Sequence, residues 1–206
     1  FQLAMRDLEI RGAGSLLGAE QHGHISDVGY EYYVKLVRRA LDEERGKPPE
    51  PTVDTSMDIP IDAHIPHDYV PGELMRLKAY RRIADIDGTE AMLDVTEEFI
   101  DRYGEPPERV VNLMRIALIK AYASRAYLES VTVHDGEAKL KFAAGARIDG
   151  GRLIAAVSET EGARLIASEP PAVEIRRKNA PAAAIAEKLP QFVHTIVHCV
   201  DRDAGI

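Results

Sequence analysis

Arg11 stands at the edge of a glycine-dense stretch, with Arg6, Asp7 and Glu9 just before it and Gln21 beyond. A guanidinium can bridge carboxylates or hold a phosphate in fixed, two-pronged geometry. A glutamine amide donates and accepts at once, so Gln21 could exchange one partner for another. Gly12, Gly14, Gly18, Gly23 and Gly29 supply backbone able to pass close to a phosphate or a second chain. Such a set suits the transmission of a state from one site to another. Near the other end, His194 and His198 are one helical turn apart, and two such imidazoles could share a zinc ion. Cys199 would leave that helix in another direction and a fourth ligand is lacking, so the expectation is unliganded surface histidines and no metal. His22/His24 and His64/His67 are expected on loops without acidic or cysteine partners. The sequence contains no Gly-x-x-x-x-Gly-Lys-Ser/Thr run, hence no P-loop. No Ser/His/Asp or Cys/His set is evident, so no catalytic residue is assigned.

The elements that position these residues follow from periodicity. Phe1, Met5 and Leu8 predict a helix over 1–11 that stops at Gly12, a candidate lever. Residues 12–29 read as an ordered loop and about 28–44 as a second helix, with Tyr33, Leu36, Val37 and Leu41 on one face. Gly46-Lys-Pro-Pro-Glu-Pro51 cannot be helical, which predicts a boundary between a 1–46 segment and a 47–206 domain.

Past it, Met57–Pro66 alternates apolar and polar residues and suits an edge strand. Three helices follow. The first, about 71–86, shows Leu74, Leu77, Tyr80 and Ile83. The second, with Thr89 as N-cap, shows Met92, Thr96, Phe99 and Tyr103 and stops at Gly104. The third opens near Pro107 and shows Val111, Met114, Leu118 and Tyr122. After Ser130 the period falls to two: Val131 and Val133, an Asp135-Gly136 turn, then Ala138, Leu140 and Phe142. A short helix over 152–160, strands over 164–167 and 172–177, and a helix from Pro181 complete the chain. Pro190 should kink or divide that last helix. Helices followed by strands, without regular βαβ alternation, predict an α+β fold: about five helices and a small mixed or antiparallel sheet.

Composition narrows the function classes. The formal net charge is −8, without the broad basic surface of an autonomous DNA binder. The excess is spread out: residues 1–46 hold 6 bases and 8 acids. The single cysteine, Cys199, rules out an internal disulfide and fits a reducing cytoplasm. No apolar run approaches the roughly 20 residues of a membrane span, and the chain starts in mid-pattern at Phe1, as a fragment would.

The run Asp7-Leu-Glu-Ile-Arg11-Gly-Ala-Gly14-Ser-Leu-Leu-Gly18, closing on Gln21-His-Gly23, resembles the TRG motif. By that motif two bacterial DNA motors couple ATP hydrolysis to translocation: the transcription-repair coupling factors (Mfd) and the RecG helicases. The resemblance ties Arg11 and Gln21 to that coupling. Arg6, Asp7, Glu9, Gly12 and Gly14 match the motif as well, the charged ones as possible ion-pair partners within a helical hairpin. His22 departs from the family's usual Gln-Ser-Gly, which leaves any hydrogen bond of that serine unassigned.

Ile59-Pro-Ile-Asp-Ala-His-Ile-Pro-His-Asp-Tyr-Val-Pro71, Arg76-Leu-Lys-Ala-Tyr-Arg-Arg-Ile-Ala84 and Phe99-Ile-Asp-Arg-Tyr-Gly-Glu-Pro-Pro107 are similar to the C-terminal domain of the coupling factors and single out that family. The similarity thins beyond about residue 145. Arg76, Arg81 and Arg82 are expected to be solvated or ion-paired. The resemblance implies a regulatory domain that docks on the UvrB-like module of the same protein and hides the surface that recruits UvrA. It also implies that ATP and Mg, double-stranded DNA and RNA polymerase are engaged by other parts of a longer parent. The chain alone is expected to hydrolyse no ATP. Two other readings remain open: a double-stranded DNA-binding module of a RecG-like helicase acting through residues 1–45, and an independent metal enzyme built on His194 and His198.

Overall fold

Proline and glycine set most of the element ends in the computed structural model, which describes residues 53–200. These residues lie within one compact unit, Gly46–Ile206. The helices expected over 1–11 and 28–44, the loop between them and the 46–51 boundary lie outside the described residues.

The first strand, β1 (Ser56–Asp58), is three residues long rather than the ten expected over 57–66. Pro60 has no N–H to give to a ladder, and the chain leaves the sheet there. From 59 to 72 it runs as a strap over the helices, with Ile59, Ile65 and Val70 buried. Side chains hold its backbone. The Ile65 N–H donates to the Tyr80 hydroxyl at 2.9 Å, and Asn112 Nδ2 donates to the Asp62 carbonyl at 3.1 Å.

Three helices follow: α1 (Glu73–Ala84), α2 (Thr89–Tyr103) and α3 (Glu108–Arg125). The expected stripe on α1 holds only toward its C-terminal end: Ile83 is buried and Tyr80 half-buried, Ala79 joins them, and Leu74 and Leu77 face outward. Thr89 is not an N-cap either: Gly88 holds that position and no side chain caps it locally. The free N–H of Thr89 instead donates to the Tyr122 hydroxyl of α3 at 3.1 Å. At its other end α2 stops at Gly104, whose φ of 82° suits a residue without Cβ. Pro107 is the N-cap of α3, one position before the helix rather than inside it. The third helix is buried nearly all round, from Val110 through Met114 and Leu118 to Ser124, and packs against α1, α2, β2 and the last helix.

The period-two region forms β2 (Leu128–His134) and β3 (Glu137–Phe142), joined at Asp135-Gly136. Their register pairs Leu128 with Phe142, Val131 with Leu140 and Val133 with Ala138, all fully buried. After α4 (Gly150–Ser158), β4 (Ala163–Ile166) and β5 (Ala172–Arg176) complete a mixed five-stranded sheet, ordered β1-β2-β3-β5-β4. β1 runs parallel to β2 and the other neighbours are antiparallel. Gly162, before β4, is required: φ is +77° and a Cβ there would sit 2.1 Å from the Arg176 carbonyl oxygen.

The last helix, α5 (Ala182–Val197), packs on α3, β2 and β3. Asp135 serves twice, since beyond the hairpin turn its Oδ1 accepts from the N–H of Ala182 at 2.9 Å. Ile185, Leu189, Phe192 and Ile196 form the expected inner stripe. Pro190 does not divide the helix. The proline withholds one ladder hydrogen bond, and the buried stripe spans both sides of it. The α+β class is therefore as the patterning predicts. Among the described residues no helix is long and apolar enough to cross a membrane.

Candidate docking surface

Arg6, Glu9, Arg11, Gly12, Gly14 and Gln21 lie outside the described residues. What the structure describes is the domain that follows them, so its candidate site is built from the surface of α1 and α2. These two helices are joined by charge. Arg82 Nε of α1 donates to Glu98 Oε2 of α2 at 2.7 Å, and Arg102, one turn along α2, meets the other Glu98 oxygen at 3.1 Å. Arg76 is turned inward, its Nη1 donating to the Val70 carbonyl at 3.3 Å. Arg81 has a buried Nε with no hydrogen-bond partner among the described residues. Arg76 and Arg82 are thus spent within the fold, as the sequence suggests; Arg81 Nε is not.

The C-terminal end of α2 is fixed by aromatic rings. Phe99 and Tyr103 meet edge to face at 5.6 Å, and Tyr69 of the strap meets Tyr103 at 5.9 Å. The Tyr69 hydroxyl donates to the Gly104 carbonyl at 2.8 Å. Burial first, then the Glu105 carboxylate and Tyr103, pushes its pKa above the ordinary tyrosine value, so it remains a donor. Asp101–Pro107 is thereby a helix stop and a helix start: the Gly104 N–H returns to the Ile100 carbonyl, and the Pro107 carbonyl accepts from Val110.

Against this fixed frame, large apolar side chains are left in solvent. Leu74 is 58% exposed and Leu93 is 59% exposed, with Met75, Leu77 and Ile100 less so. Leu93 and Ile100 are two turns apart on one flank of α2, away from the buried Val95 and Phe99. Scattered exposed leucines are ordinary, and Ile154 on α4 and Leu165 on β4 are exposed too. Most of the exposed large apolar side chains nevertheless stand on α1 and α2, which makes these two helices a candidate protein-binding surface. The patterning points to one core stripe per helix and misses this. The signal lies in the width of the apolar arc: Met92, Leu93, Val95, Phe99 and Ile100 span more of α2 than a single buried stripe needs.

The histidines take other roles. His194 packs tilted against the Tyr122 ring at 4.9 Å and edge to face with the His198 ring at 5.2 Å. Cys199 is buried, its thiol donating to the Thr195 carbonyl. Burial, then the Asp149 carboxylate, pushes its pKa up, away from the thiolate a metal would need. Among the described residues no three His, Cys, Asp or Glu side chains are grouped to hold a metal ion. The expectation that His64 lacks an acidic partner is wrong. Its Nδ1 lies 2.8 Å from Asp62 Oδ1, and the other oxygen of Asp62 takes Arg109 at 2.7 Å. His64 and Asp62 are only two residues apart, on a strap bent at Pro60 and Pro66.

Comparison with known proteins gives this surface its context. The family model described as the TRCF domain matches residues 59–153, from the strap into α4. A transcription-repair-coupling factor of Myxococcus xanthus is 29% identical over 97% of this chain. That of Bacillus subtilis is 35% identical over 74% of it. The chain spans only 17% and 13% of those two relatives. A crystal structure of the C-terminal domain of a transcription-repair coupling factor superposes with a TM-score of 0.64, at 22% identity, covering 72% of this chain and 94% of that one. That last likeness speaks for the fold, and the sequence matches speak for descent. The chain belongs to the transcription-repair-coupling factor family, and residues 59–153 are its TRCF domain.

Proposed function

We propose that residues 47–206 form a noncatalytic regulatory domain of a longer coupling factor. In this reading the exposed apolar flanks of α1 and α2 dock on the UvrB-like module of the same protein and cover the surface that recruits UvrA. The observation that carries it is the set Leu74, Met75, Leu93 and Ile100, left in water on helices otherwise tied down by Glu98 and Tyr122. Apolar side chains displayed on a rigid frame lose little conformational freedom on docking, so their burial counts toward affinity. The acidic balance of the chain favours a protein partner over a duplex.

The test is Leu93→Glu with Ile100→Glu in the whole protein. Both positions face solvent, so the fold should keep its melting temperature to within a few degrees. A buried carboxylate at the docking interface would cost about 2 kcal/mol or more. UvrA should then bind roughly tenfold more tightly or better. Unchanged UvrA affinity in a folded variant would remove these flanks from the interface.

We propose further that residues 1–46 couple hydrolysis to movement in the parent, with Arg11 and Gln21 as the transmitting residues. The spacing from Asp7 to Gly23 supports this reading. In this reading ATP and Mg are engaged outside this chain, whose sequence carries no P-loop. They are assigned to the remainder of the parent, as are double-stranded DNA and RNA polymerase. Arg11→Ala in the parent should leave ATP hydrolysis largely intact while polymerase displacement falls by an order of magnitude or more. Normal displacement by that variant would contradict the coupling role.

A further inference from the structure

No further inference is drawn: the strongest candidate, the open groove of about 890 Å³ between the 60–69 strap, the α2–α3 turn and the start of α5, is an acidic cluster of Asp62, Asp68, Glu105, Glu108 and Asp135 with no second observation to show what fills it.

Discussion

At Glu174 two arginines from the sheet surface converge on a carboxylate that is only 5% exposed. Arg164 binds it with two prongs, at 3.0 and 2.9 Å, and Arg176 meets it from the same strand. The Arg164 hydrogen bonds hold its pKa below the ordinary glutamate value; burial opposes them, and the charges of both arginines add to the lowering. A carboxylate whose pKa is depressed by folding contributes stability above its unfolded value, and that contribution is lost as pH falls through the folded value. The window therefore opens below the ordinary glutamate value of 4.5. Glu174→Gln should be less stable than the parent at neutral pH, since it leaves two arginines uncompensated. Below that window the difference should shrink. Urea melts between about pH 7 and pH 3 check this; a constant difference across the range would show that Glu174 does not titrate with folding. Little of this was legible in advance. Ala172–Arg176 reads as an ordinary alternating strand, and only the register of β4 on β5 sets Arg164 opposite Glu174.

The helices show where local rules end. Gly104 and Gly136 do what their positions suggest, because a left-handed turn is a property of the residue itself. The start of α2 is different. Its cap comes from Tyr122, in the next helix, whose hydroxyl takes the Thr89 N–H and lies 2.9 Å from the Thr89 hydroxyl. No sequence rule for capping reaches that far. Tyr122→Phe keeps the ring on His194 and removes only the hydroxyl. It should cost about 1 kcal/mol, the net worth of a part-buried hydrogen bond. Amide exchange in the first turn of α2 should accelerate more than exchange in α5. Unchanged stability and exchange would mean that solvent replaces the hydroxyl. The partial miss on α1 has a related origin. Leu74, Leu77 and Ile83 lie at helical spacing, and a stripe drawn through them is natural. Of that stripe only Ile83 is fully buried, joined by Ala79, because which turns of α1 the neighbouring helices cover is set by the tertiary fold.

Across the whole described domain, the core is the readable part and the surface is not. Alternation in β2 and β3, and the Ile185–Ile196 stripe, predict burial correctly because apolar transfer is nondirectional and summed over many residues. A docking surface needs only a few side chains, and it emerges only when the fold shows which apolar residues are left over. The two regions of the chain also differ in kind. The role proposed for the glycine-rich 7–23 run rests on its spacing, whereas that proposed for the domain rests on the apolar side chains exposed on α1 and α2. Under the proposed function, docking is a competition in which the domain and UvrA would seek the same surface and the weaker be displaced. Removing residues 47–206 from the parent should remove that competition entirely. The most direct measurement is the dissociation constant for UvrA of the intact parent against the parent lacking residues 47–206. The account predicts binding at least tenfold tighter for the truncated protein, a gain of about 1.4 kcal/mol or more. Equal affinity for the two would contradict it.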